Sequence, residues 1–338
     1  MKKLIKRGFA ALLALTLALG MSVSAFAAEG TADTGTAEAK AVTEKDYQLT
    51  HTDTQSKSPE ETFTFTATAA KVTDANNPDG TAVTTEQMPK LTITVDKYNE
   101  GEAGSANSKK ALHFTKDKPF PSVGIYTYDV TETVGNTAGV GYNKEKLQLK
   151  VTVFHDAETS KIKEAYAFTV DGNKGADIVN TYSAGTLQGG KPVHGNLGNK
   201  EQKFNITVTL TAPEGQTVNS TITYGDKQIT PEDFKNDNGT VQVRISLADE
   251  EKIVFYNVPY GVKYDVVEDT YEGYNTSYSN GKASGTIEKA HTVADIFNEK
   301  VGTVETGVIL HSAPYVLLLV GVGAAAVAFL ILKKHREV

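Results

Sequence analysis

Apolar and polar residues alternate with period two along much of this 338-residue chain, and that pattern leaves few folds open to it. It runs through Phe63-Thr64-Phe65-Thr66-Ala67, Leu91-Thr92-Ile93-Thr94-Val95, Leu147-Gln148-Leu149-Lys150-Val151-Thr152-Val153 and Ala165-Tyr166-Ala167-Phe168-Thr169-Val170. It returns in Phe204-Asn205-Ile206-Thr207-Val208-Thr209-Leu210 and Val241-Gln242-Val243-Arg244-Ile245-Ser246-Leu247. A helix needs its apolar residues three or four apart, so these runs can bury one face only as strands. Turns rich in Gly, Asn and Asp separate them, and no soluble amphipathic helix is predicted between them. The pattern therefore predicts an all-β chain of antiparallel sandwiches, each with one wet face. Residues 28–42, rich in Ala, Thr, Glu and Gly, lack alternation and read as a flexible tether.

The two ends carry addresses. Lys2, Lys3, Lys6 and Arg7 precede an apolar run from Ala10 to Leu19, and Ala25-Phe26-Ala27 supplies a small-x-small cleavage site. Residues 1–27 read as a signal peptide. At the other end Thr303-Val304-Glu305-Thr306-Gly307 precedes an apolar stretch over residues 313–332, which a basic cluster from Lys333 to Arg336 follows. About 20 apolar residues suffice to cross a bilayer as a helix, and the basic tail then stays in the cytoplasm. This order resembles the sorting signal of sortase substrates, in which a transpeptidase cuts between Thr and Gly of L-P-x-T-G and passes the Thr carboxyl to an amine. Thr306 and Gly307 match, whereas Thr303 and Val304 stand where Leu and Pro are expected. Some streptococcal pilins depart similarly, which implies a pilus-specific sortase rather than the housekeeping one. A plain single-pass anchor is the other reading of the same residues.

Composition narrows the chemistry. The chain has no Cys, which excludes disulfides, thiolate metal sites and cysteine nucleophiles, so any covalent staple must use other groups. A formal net charge of -7 without basic clusters argues against nucleic acid. The seven histidines show no H-E-x-x-H spacing and no Gly-x-Ser-x-Gly elbow is present, so neither a metal, a cofactor nor a hydrolase triad is expected.

A weak internal repeat organises the middle. Tyr128-Asp129-Val130-Thr131-Glu132 recurs as Tyr264-Asp265-Val266-Val267-Glu268, after Gly124-Ile125 and Gly261-Val262 respectively. Each copy is followed by Asp-Ile-apolar-Asn, as Asp177-Ile178-Val179-Asn180 and Asp295-Ile296-Phe297-Asn298. A lysine precedes each first strong strand: Lys45 before Phe63, and Lys191, in Lys191-Pro192-Val193-His194-Gly195-Asn196, before Phe204. Two homologous domains are expected, 43–183 and 184–302, each offering Lys, Glu and Asn in that order.

In a strand Val130 and Glu132 share a face, as do Val266 and Glu268, so each glutamate points toward the core, where burial favours its neutral form. Asn180 and Asn298 alternate with Ile178 and Ile296 and can also face inward. A lysine buried beside them is pushed toward the neutral, nucleophilic amine. The amine can then attack the Asn side-chain carbon while the protonated Glu polarises the carbonyl oxygen and moves protons; ammonia leaves and an amide joins Lys to Asn. Closing loops of that span is worth about 4 to 5 kcal/mol, less any strain. The same residues also admit a plain structural reading, with the glutamates on edge strands facing solvent and the asparagines ending strands in turns.

With the end motifs, the paired Tyr-Asp-Val-x-Glu elements and the terminal Asp-Ile-x-Asn elements in this order, residues 43–338 resemble the two-domain, isopeptide-containing backbone pilins of Gram-positive bacteria, the streptococcal T-antigen type. The resemblance implies two tandem immunoglobulin-like, Cna-B-like sandwiches. It implies isopeptide bonds Lys45–Asn180 and Lys191–Asn298, with Glu132 and Glu268 as the respective proton shuttles. It also implies an acceptor lysine shortly before the first terminal Asn, the place held by Lys174 in Asp171-Gly172-Asn173-Lys174-Gly175. A pilus-specific sortase would join Thr306 of one copy to Lys174 of the next, with identical subunits, minor pilins and peptidoglycan as partners. Against this shaft subunit stand two other classes. One is a wall-anchored adhesin or minor pilin whose host-ligand site lies in Ala70–Met88 or Tyr98–Lys110; the other is an exported enzyme, for which no residues speak.

Overall fold

The structure, a computed structural model, describes residues 39–40, 44–50, 55–174, 176–281 and 283–302. The expected signal peptide, the tether up to residue 38 and the sorting signal with Thr303, Val304, Glu305, Thr306, Gly307 and the 313–332 helix lie outside the described residues. The described chain is β throughout, broken only by short 3-10 turns such as Thr85–Gln87 and Pro231–Phe234. The alternating runs form the strands: Leu147–His155 and Phe204–Thr211 bury every second side chain. Those buried positions feed two hydrophobic cores, one built around Tyr47, Tyr126, Val151 and Phe168, the other around Ile206, Val208, Phe255 and Val266.

The first core lies between two sheets. One runs Ala39–Lys40, Ile162–Val170, Leu147–His155, Gly124–Glu132, Phe65–Thr73. The other includes Ile178–Gly190, Glu44–Thr50, Lys109–Lys116 and Leu91–Val95. The second core packs a sheet of Thr240–Leu247, Phe204–Thr211, Lys263–Glu268 and Ser284–Thr286 against strands that continue the long Ile178–Gly190 strand through Lys252–Pro259. Ala39–Lys40, inside the segment read as tether, pairs in parallel with Ala165–Tyr166. Two residues are too few to show a period, so the strand was invisible to patterning.

Not every pairing is antiparallel. Strand Ile178–Gly190 runs parallel to Glu44–Thr50, from Ile178 opposite Lys45 to Ser183 opposite Thr50. It then pairs antiparallel with Lys252–Pro259, from Ala184 opposite Pro259 to Gly190 opposite Lys252. One unbroken strand thus serves both halves. In the second half Val193–His194 pairs in parallel with Asn298–Glu299. The first and last strands of each half are therefore parallel neighbours, a placement that needs the intervening strands as the crossover.

The halves are further joined by Asn257, which is buried and adopts φ 60° in a bulge of the long pairing. Its amide donates to the carbonyls of Lys57 and Thr221, each at 3.0 Å, and its oxygen accepts from Lys57 N–H at 3.1 Å and Tyr182 hydroxyl at 3.3 Å. Thr217 adds a backbone bridge to Thr137.

Candidate functional site: two buried lysine–glutamate–asparagine clusters

The parallel pairing fixes the register of each cluster. Asn180 lies opposite Tyr47, two residues beyond Lys45. Asn298 lies opposite Val193, two residues beyond Lys191. Each glutamate ends a strand antiparallel to the first strong strand of its half, Glu132 opposite Phe65 and Glu268 opposite Ile206. The same three side chains consequently converge twice, from an early, a middle and the last segment of each half.

In the first cluster Lys45 Nζ lies 3.0 Å from Glu132 Oε2, and the Asn180 amide nitrogen donates to Glu132 Oε1. In the second, Lys191 Nζ lies 3.2 Å from Glu268 Oε2, and the Asn298 amide nitrogen donates to Glu268 Oε1 at 2.7 Å. Both lysines and both asparagines are 0% exposed. In the first cluster the carboxyl thus bridges the amine and the amide nitrogen, one oxygen to each, whereas in the second Glu268 Oε1 takes the amide nitrogen and Lys191 Nζ donates to the Ile296 carbonyl at 3.2 Å.

Burial sets the protonation states. Removal from water lowers Lys45 to about 8, although the Glu132 charge pulls the other way. Glu132 is raised above the usual carboxylate range, again chiefly by burial against the opposing effect of Lys45. Lys191 is likewise lowered by burial. For the Lys45–Glu132 pair both shifts favour a neutral amine beside a neutral acid.

Patterning did not reveal the aromatic floor. Lys45 Nζ sits 4.6 Å above the Phe63 ring, and Lys191 Nζ 4.5 Å above the Phe204 ring. Tyr47 and Tyr98 pack edge-on against Phe63, as Tyr271 and Tyr274 do against Phe204. These rings exclude water and leave a face able to hold the amine in either charge state. Their signal in the sequence was the phenylalanine two residues before each glutamate's partner, but that spacing has meaning only once register is known.

Lys174 lies apart from both clusters, exposed in a hairpin where Asn173 and Lys174 pair with Val170 and Thr169. Asp171 and Gly172 take φ 47° and 80° at its tip, the left-handed pair that an Asp-Gly two-residue hairpin uses. Asp171 is tied back through Lys146 N–H and carbonyl at 2.8 Å each.

Residues 39–183 match the family described as the Spy0128-like isopeptide containing domain. Residues 185–300 match a second family, described as a domain of unknown function, DUF7601. Over 279 residues the chain is 29% identical to a pilin of Streptococcus pyogenes serotype M1, covering 75% of this chain and 78% of that one. The crystal structure of the major pilin from Streptococcus pyogenes aligns at 24% identity and TM-score 0.49, covering 77% of this chain and 98% of that chain. The T-13 major pilin of the same species aligns at 19% identity and TM-score 0.49, covering 78% and 97%.

Proposed function

We propose that this chain is the structural subunit of a covalent cell-surface pilus shaft, stapled internally by Lys45–Asn180 and Lys191–Asn298 isopeptide bonds. The observation that carries the reading is the repeated burial of Lys, Glu and Asn in one register, in a chain related to a streptococcal pilin over most of its length. In each half, 43–183 and 184–302, the neutral lysine attacks the asparagine Cγ. A C–N bond forms, the glutamate carboxyl carries a proton from the new ammonium to the amide nitrogen, and ammonia leaves. The protein is its own single-turnover substrate, so it is not an enzyme toward other molecules.

Assembly uses separate groups. A pilus-specific sortase cuts after Thr306 and transfers its carboxyl to Lys174 of another copy, whose hairpin presents an exposed amine. Export by residues 1–27 and retention by the 313–332 helix hold the chain at the membrane until transfer. Minor pilins and peptidoglycan complete the fibre on the cell wall.

Intact mass and peptide mapping of the exported chain test the staples: a deficit of two ammonia molecules, with the two named pairs joined, is expected. An unmodified mass would remove them. Lys174→Ala is expected to abolish the high-mass ladder extracted from the wall while both internal bonds still form. A persisting ladder assigns the acceptor to another lysine.

A further inference from the structure

The two clusters differ at one reacting atom. The Asn180 carbonyl oxygen accepts a hydrogen bond from the backbone N–H of Asn143 at 2.8 Å. The corresponding oxygen of Asn298 is buried and meets no donor among the described residues. The fold explains the difference. Val140–Gly141 pairs antiparallel with Thr181–Tyr182 of the long strand, and where that ladder stops the chain carries the next free N–H, that of Asn143, onto the Asn180 side chain. Asn143 is buried, and its own side chain accepts from Glu145 N–H at 2.7 Å, which holds the turn. Tyr142, packed on Phe63, secures the residue before it.

A backbone N–H can only donate, so the atom facing it must be the amide oxygen. That settles which way the Asn180 amide points and leaves its nitrogen on Glu132. We propose that the Asn143 backbone N–H is a catalytic oxyanion donor for cross-linking in the first half, and that the second half cross-links without a counterpart. The inference rests on the self-stapling reading above. As Lys45 Nζ bonds to Asn180 Cγ, the carbonyl electron pair moves onto Oδ1, where the N–H already waits at hydrogen-bond length. Glu132, relieved of the carbonyl, gives its own proton to Nδ2 through Oε1 and is reprotonated from the Nζ ammonium through Oε2. The C–Nδ2 bond breaks, the carbonyl re-forms and ammonia departs. In the second half the Asn298 oxygen has no such fixed partner, so Glu268 alone must serve both the oxygen and the leaving nitrogen.

The test removes one hydrogen atom. Full-length chain is made by cell-free synthesis with the α-hydroxy analogue of asparagine at position 143, which replaces the N–H by an ester oxygen, and both cross-links are timed by peptide mapping in the same molecules. The ester is expected to slow Lys45–Asn180 formation by about 10²–10³-fold, the usual cost of one oxyanion donor, and to leave Lys191–Asn298 unchanged. Asn143→Ala, which keeps the N–H, is expected to link its first half far faster than the ester. Wild-type speed in the ester chain overturns the proposal. Failure of the wild-type chain to link either pair would instead sink the self-stapling reading. Should the ester chain not fold, amide exchange decides. The Asn143 N–H is expected to exchange slowly in Lys45→Ala and quickly in Lys45→Ala/Asn180→Ala, and equal rates overturn the assignment.

Discussion

Lysine, glutamate and asparagine meet a third time, and the contrast bears on what the proposed reaction would require. Lys110 Nζ lies 2.7 Å from Glu102 Oε2 and 4.5 Å above the Tyr98 ring, and Asn99 Nδ2 donates to Glu102 Oε1 at 3.1 Å. Contacts and residue types match the two buried clusters. The environment does not: the Lys110 and Glu102 side chains keep 15% and 16% exposure. Lys110 and the backbone N–H of Asn99 hold Glu102 down to about 2, so it stays a carboxylate with no proton to give. Peptide mapping is expected to find Lys110 and Asn99 free, and a bond between them would refute burial as the selecting factor.

The Lys45–Glu132 pair makes a pH prediction of definite sign. Attack needs Lys45 unprotonated and Glu132 protonated, so the pair must have lost one proton and kept the other. Burial lowers Lys45 to about 8, which moves the acid-side loss of rate down from the ordinary lysine range. Glu132 is raised, which moves the alkaline-side loss up from the ordinary carboxylate range. Newly made chain sampled across pH should therefore form Lys45–Asn180 slowly at the acid end, where the pair holds both protons, and again well above about 8, the lowered lysine value, where it holds neither. A rate still rising well above that value would mean that a protonated Glu132 is not required.

At the scale of elements, the strands were legible because one wet face forces alternation: the run Leu91–Val95 is the strand observed, and Phe204–Leu210 falls one residue short of it. The residues of both clusters were legible for the same reason, since Val130 and Glu132 had to share a face. Parallel pairing of first and last strands was not, because register between strands distant in sequence leaves no local pattern. The boundary expected between residues 183 and 184 falls inside one strand, Ile178–Gly190. Its glycines permit this: a Cβ on Gly185 would stand 2.3 Å from the Lys289 carbonyl oxygen. Nor did any period mark Asn257, whose role is set by four hydrogen bonds from three segments. Asn257→Ala should lower the denaturant midpoint. The backbone groups left unmet cost about 1–3 kcal/mol, and the left-handed backbone that alanine resists costs about 1–2 kcal/mol more. Asn257→Gly spares only the second cost and should fall between alanine and wild type. Equal midpoints for all three would show that this asparagine does not join the halves.

For the whole molecule, function depends on where load enters and leaves. In a shaft built through Lys174 and Thr306, tension enters six positions before Asn180, passes along the unbroken Ile178–Gly190 strand and reaches Lys191. From there the proposed Lys191–Asn298 bond would carry it directly to the last strand, bypassing residues 192–297. The first half hangs outside this path, because Lys45–Asn180 closes a loop in parallel with the loaded segment rather than in series. The two bonds therefore have unequal mechanical consequences. Pulled between residues 174 and 306, wild-type chain should show no unfolding step, and Asn180→Ala should behave likewise. Asn298→Ala should release the bypassed residues, each worth roughly 3.3–3.6 Å when extended, in a step on the order of 300 Å. A comparable step from Asn180→Ala would place the first half in the load path and move the point of entry away from Lys174.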